Sequence, residues 1–153
     1  MTETKEKARA SAELYEQDFH LWVEEQARLL KERRFSRLDL PNLIDEIEDM
    51  ARSQKRAIRN DLTVLLTHLL KYQFQPDRRS TSWTGSIVEH RRRILEEIED
   101  SPSLRGYPAQ VFERCYRNAR EQAAAETGLA KETFPPTSPY SPQQALQPGY
   151  LPE

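Results

Sequence analysis

The sequence predicts an all-α protein: a bundle of about four main helices closed by a proline-rich C-terminal strap. Three observations carry this expectation. Long stretches, 1–40, 42–75, 86–101 and 109–127, contain neither Pro nor Gly, and a helix interior loses about 3 kcal/mol to Pro and about 1 to Gly. β-branched residues are few, whereas Leu, Ala, Glu and Arg abound, residues that lose little rotamer freedom in a helix. Apolar residues inside those stretches recur with the helical period.

The first helix is expected from Ser11, whose hydroxyl can accept from a free backbone N–H, to about Arg34. Turning 100° per residue brings Tyr15, Phe19, Trp22, Leu29 and Leu30 to one side of it. A second helix begins at Pro41, whose missing N–H costs nothing in the first turn. Asp45, Glu46, Glu48 and Asp49 follow, where carboxylates oppose the positive end of the helix dipole. Its apolar stripe reads Leu43, Ile47, Ala51, Ile58, Leu65, Leu69 and Tyr72. Unbroken to Gln73 it would be about 50 Å long at 1.5 Å per residue, beyond the span of a compact domain with a radius of gyration of about 15 Å. The sequence therefore predicts a bend or break near Asn60-Asp61, an elongated molecule, or a partner that covers the overhang.

A third helix is expected from Ser80 or Ser82 to Asp100, with Trp83, Ile87, Ile94 and Ile98 inward. A fourth runs from Pro108 to Thr127, with Phe112, Cys115, Tyr116, Ala119 and Ala123 on one face. Gly128-Leu129 ends it with a left-handed residue followed by an apolar contact. From Thr133 prolines dominate, and Phe134, Tyr140, Leu146, Tyr150 and Leu151 are spaced as anchors that wrap the bundle; Ser141-Pro142 can cap one short turn. The expected organisation is an unstructured stretch 1–10, one helical domain 11–130, and a tail 131–153 packed on it.

With 153 residues and one cysteine, Cys115, the chain holds no intramolecular disulfide framework and fits a reducing compartment. The Lys/Glu alternation of Met1–Ala10 is no secretory signal. Its longest apolar uncharged run, Leu62–Leu70, is nine residues long against the roughly 20 of a membrane span. A cytoplasmic protein is the expectation.

Several runs are similar to one family. Tyr15-Glu16-Gln17-Asp18-Phe19-His20-Leu21-Trp22, Leu43-Ile44-Asp45-Glu46-Ile47-Glu48-Asp49-Met50 and His68-Leu69-Leu70-Lys71-Tyr72-Gln73 resemble a bacterial family known as domain of unknown function 29. Ser82-Trp83, Arg91 to Ile94, Asp100-Ser101-Pro102-Ser103-Leu104-Arg105, Thr133-Phe134-Pro135 and Ser138-Pro139-Tyr140 continue the likeness, which covers nearly the whole chain after Ala10. It implies a bacterial, helical, single-domain protein. It brings no activity and no catalytic residues.

Polar residues on faces that should be buried are the informative ones. Gln54, Asp61 and His68 follow Ile47 at seven-residue intervals and fall on or beside the apolar stripe. Arg91 lies between Ile87 and Ile94, and Asp18 flanks the line from Tyr15 to Trp22. With the Trp83 N–H these are expected to form a buried network, since an acid or base buried alone is prohibitive. One reading makes the network structural, fixing helix register. The other makes Asp61, His68 and Arg91 a hydrolase or nuclease-like site, with a third group bridging Asp61 and His68, which stand about 10 Å apart along the helix.

No cofactor is expected. The Glu-x-x-His pairs of di-iron bundles are absent before His20, His68 and His90, and the four glycines form no phosphate loop. The i, i+4 pair Glu16/His20 is no metal site by itself, and Cys115 reads as core filler. Charge is segregated: residues 1–50 carry a net −5, residues 51–93 +7 and residues 94–153 −4. Arg52, Lys55, Arg56 and Arg59 form a basic face clear of the apolar stripe, which reads first as a solvated face partly balanced by the acidic helices and otherwise as one that a nucleic acid or an acidic protein could use. The favoured expectation is an interaction or regulatory module without catalytic activity, binding protein partners through helix faces, a homodimer among them.

Overall fold

The computed structural model describes residues 2–153. Its six helices are α1 (Thr2–Gln17), α2 (Phe19–Lys31), α3 (Leu40–Phe74), α4 (Thr81–Asp100), α5 (Tyr107–Thr127) and α6 (Pro142–Leu146), joined by short 3₁₀ turns, with no strand among the described residues. The protein is all-α. Two compact units divide inside α3, one ending at Arg52 and the other running from Ser53 to Glu153.

In the N-terminal unit the single helix expected over 11–34 is two. Asp18 interrupts it, with extended backbone and its side chain accepting from the Leu21 N–H at 3.0 Å. A short acceptor that serves the backbone at a helix start competes with continuing the previous helix. The residue assigned to a buried network is thus an exposed N-cap. Asp18→Ala is expected to lower the stability of this unit by about 1 kcal/mol, read as faster hydrogen exchange in the first turn of α2. Helix also extends upstream of Ser11, to Thr2, where no structure is expected from the sequence; the i, i+4 pairs Glu3–Lys7 and Arg9–Glu13 support it. Met1 lies outside the described residues.

Asp39 is the polar hub of this unit. Only 5% exposed, it accepts from Trp22 Nε1 at 3.0 Å and Asn42 Nδ2 at 2.7 Å, and its own N–H donates to Gln26 Oε1 at 2.8 Å. Trp22 and Leu29 are buried, and Tyr15, Phe19 and Trp22 form an aromatic cluster with centroids 4.8–5.9 Å apart. The Tyr15 hydroxyl donates to Glu46 at 2.6 Å, a bond that pushes its pKa up to about 12.

α3 continues through Asn60-Asp61 without interruption for 35 residues. Neither residue breaks a helix as Pro would, and Thr63 and Thr67 return their hydroxyls to carbonyls four residues back. Two residues of its expected inward stripe, Ile47 and Ala51, are exposed instead.

The C-terminal unit has a continuous core: Ile58, Leu62, Leu65, Leu66, Leu69 and Leu70 of α3, Ile87 and Ile94 of α4, the α5 face Phe112, Cys115, Tyr116, Ala119 and Ala123, and Phe134, Tyr140 and Ala145 of the tail. Ser80 caps α4, and Gly128, at φ 72°, ends α5 in the left-handed conformation that costs glycine nothing. A reciprocal capping box between Ser141 and Gln144 starts α6.

The tail is held by polar anchors on its backbone as well as by side chains. Arg91, 3% exposed, donates Nε to the Ala145 carbonyl at 2.9 Å and a terminal nitrogen to the Tyr150 carbonyl at 2.8 Å. Arg120 Nε donates to the Phe134 carbonyl at 2.9 Å, the Tyr116 hydroxyl to the Pro135 carbonyl, and the Tyr140 hydroxyl to Gln73 at 2.7 Å.

Candidate functional site

The residues singled out from the sequence do not form one network. Asp61 of α3 meets His90 of α4, whose Nδ1 is 2.7 Å from its Oδ1, with an Arg93 nitrogen 3.8 Å from the same oxygen. His68, two turns on, places Nδ1 2.9 Å from the Val64 carbonyl of its own helix. Arg91 is committed to the tail carbonyls, Trp83 lies under the Lys71 ammonium at 4.9 Å, and exposed Gln54 donates to Ser101 Oγ at 3.3 Å. Among the described residues no hydrogen bond or ion pair joins Asp61, His68 and Arg91 to one another, and Asp18 caps α2. The hydrolase-like convergence expected of those three is absent, because each found a nearer partner. His90 and Asp39 are the residues that reasoning from stripes missed. His90 lies 29 positions from Asp61 in sequence, so only the pairing of α3 with α4 reveals it.

A groove of about 350 Å³ runs between α3 and α5, lined by Asn60, Thr63, Val64, Thr67, His68, Asn118, Gln122 and Glu126. Burial pushes the His68 imidazole below its ordinary range, helped by the charges of Lys71 and His90 and opposed by the Val64 carbonyl and Glu126. A neutral ring whose Nδ1–H serves Val64 leaves Nε2 as an acceptor. Because the folded pKa is depressed, the unfolded chain binds the proton first. The contribution of His68 to stability is therefore present above about pH 6.5 and lost as pH falls below it. Denaturant unfolding of the C-terminal unit is expected to show that loss between pH 7 and 5, flattened in His68→Gln; an identical slope in the variant contradicts it.

The basic face is partly spoken for. Arg52 pairs with Asp49 at 2.9 Å and Glu48 at 3.6 Å, Arg59 donates to the Tyr107 hydroxyl at 2.6 Å, and Lys55 lies 5.2 Å over the Tyr107 ring. Arg56 is exposed. Among the described residues no cluster of three or more His, Cys, Asp or Glu side chains has metal-binding geometry.

What stands out is apolar exposure. Among the described residues, Phe19, Leu21, Val23, Leu30, Phe35, Leu40, Ile44, Ile47 and Met50 of the N-terminal unit are exposed, against Val88, Leu129 and Leu151 elsewhere. On α3 every residue from Ile47 to Arg56 is exposed. Three turns of helix with no packed face are marginal in water. Ile47 and Met50 keep 63% and 70% of their surface, so this segment forfeits the burial that normally holds a helix. Leu40, Ile44, Ile47 and Ala51 share a stripe about 60° wide at 100° per residue. No helix of the described residues is long and apolar enough to cross a membrane.

Neither a curated protein nor a solved structure matches the chain. The family described as domain of unknown function DUF29 matches residues 14–151. The match takes in about three quarters of the N-terminal unit and nearly all of the C-terminal one, and the chain belongs to the DUF29 family.

Proposed function

We propose that the protein is a non-catalytic interaction module whose N-terminal unit docks a protein partner. The observation that carries this is the concentration of exposed large apolar side chains between Phe19 and Met50. On α3 the exposed residues Leu40, Ile44, Ile47 and Ala51 gather on one stripe, and apolar surface gathered in this way marks interaction sites. The enzyme reading has less support, since Asp61, His68 and Arg91 hold separate partners. Nucleic-acid binding has less too, because Arg52, Lys55 and Arg59 are engaged within the chain. The single free and buried cysteine fits a reducing compartment such as the cytoplasm.

Site-specific photo-crosslinking in living cells tests this. A photoreactive residue at Ile47 or Phe19 is expected to capture a defined polypeptide, while the same residue at exposed Val88 captures none. Equal capture at all three positions, or none at Ile47 and Phe19, overturns the reading.

A further inference from the structure

Arg91 is a buried cation whose donors are only partly used. Of the five N–H groups of a guanidinium, one on Nε goes to the Ala145 carbonyl and one on a terminal nitrogen to the Tyr150 carbonyl, so three have no acceptor among the described residues. The charge is open as well. Arg91 is 3% exposed, and both of its acceptors are neutral carbonyls. A positive charge taken out of water without a counter-ion gains most from an anion in direct contact, because its surroundings screen it less than solvent does.

The same residue forms part of the wall of a pocket of about 370 Å³ between α4 and the tail. That volume falls within the roughly 300–1,000 Å³ of small-molecule sites. Its apolar walls are Val88 and Leu95 of α4 and Pro148 and Gly149 of the tail. Three further charged residues, Arg92, Glu96 and Glu99, line the rim. Arg92 and Glu96 hold each other at 2.6 Å with more than half of each side chain exposed, and Glu99 is exposed too. Solvent screens these rim charges, and it reaches Arg91 far less. Contact at the guanidinium therefore sets the sign of the ligand, and the rim sets how many charges it carries. A second carboxylate would meet Glu96 or Glu99 beyond the apolar wall.

We propose that this pocket binds a small monocarboxylate with an apolar body, its carboxylate on the free N–H groups of Arg91 and its body against Val88, Leu95 and Pro148. The site lies wholly within the C-terminal unit and is independent of the docking surface on the N-terminal one. Because the same guanidinium holds the Ala145 and Tyr150 carbonyls, the ligand also fastens the tail to α4.

Titration of the full chain with hexanoate, followed by calorimetry and by amide chemical shifts, tests it. Saturation at one site per chain is expected, with shifts at Val88, Leu95 and Gly149. Hexanamide, which lacks the charge, and adipate, which adds a second, are each expected to bind at least about 10-fold more weakly. Variants of Arg91 also release the tail, so the wall is altered instead. Val88→Asp, at an exposed position, is expected to leave the melting temperature of the free chain unchanged and to weaken hexanoate at least about 10-fold. In the parent, hexanoate raises the melting temperature and slows hydrogen exchange over Ala145–Tyr150, and in Val88→Asp it does neither.

Failure of hexanoate to saturate the chain by about 10 mM overturns the proposal. Hexanamide or adipate binding as tightly as hexanoate overturns it too, as do shifts centred outside the pocket. A Val88→Asp chain that melts like the parent and binds hexanoate equally well has the same consequence.

Discussion

Phe134→Ala is expected to destabilise the C-terminal unit by about 3–5 kcal/mol, the usual loss for a fully buried phenylalanine. Phe134 has no exposed surface, and its ring stands edge-on to Phe74 at 5.7 Å. Its carbonyl also takes the Arg120 donor at 2.9 Å, so a ring that no longer anchors the tail loosens a polar contact with it. For a unit of this size the unfolding midpoint is expected to fall by at least about 12 °C. Thr137→Ala, at an exposed position of the same tail, is expected to stay within about 0.5 kcal/mol of the parent. A Phe134→Ala chain that melts like the parent contradicts a tail built into the core.

Arg91→Met is the second large effect. The guanidinium is 3% exposed, and burial holds its pKa below the ordinary arginine value. Among the described residues no carboxylate pairs with it; the Ala145 and Tyr150 carbonyls compensate it. Methionine fills much of the volume and removes both donors, orphaning two carbonyls at about 1–3 kcal/mol each. The expected loss is about 2–5 kcal/mol, with hydrogen exchange and proteolytic cleavage rising first over Ala145–Tyr150. Arg91→Lys is expected to recover only part, because a single ammonium lacks the planar fork that reaches two acceptors. Full protection of that segment in Arg91→Met contradicts the assignment.

Much of the architecture was legible because local rules and tertiary packing agreed. Pro108 and Gly128 bracket α5, and its five-residue stripe from Phe112 to Ala123 is buried throughout. α4 shows the same agreement through Ser80, Ile87 and Ile94. Asp18 misled because a carboxylate beside an aromatic line satisfies two patterns: a buried polar residue and a helix cap. Period alone does not separate them; the cap geometry does.

The polar residues were legible in kind more than in pairing. Arg91 between two isoleucines correctly signals a buried guanidinium, yet its acceptors are backbone carbonyls more than 50 positions away, which no side-chain pattern encodes. Asp61 signals a partner on a neighbouring helix, but which residue of α4 faces it depends on the relative sliding of the two helices. Ile47 and Ala51 failed as core residues for a different reason. Periodicity reports that a helix has an apolar face, and is silent on whether that face is covered within the same chain.

Hydrogen exchange of the α3 backbone, followed in the purified protein before and after addition of a lysate of the cells that make it, tests the central claim most directly. Docking on the Leu40–Ala51 stripe predicts that amides from Leu43 to Ala51 gain protection on that addition, while those from Leu65 to Leu70, deep in the C-terminal core, do not change. Protection of Leu43–Ala51 that is the same with and without the lysate contradicts it.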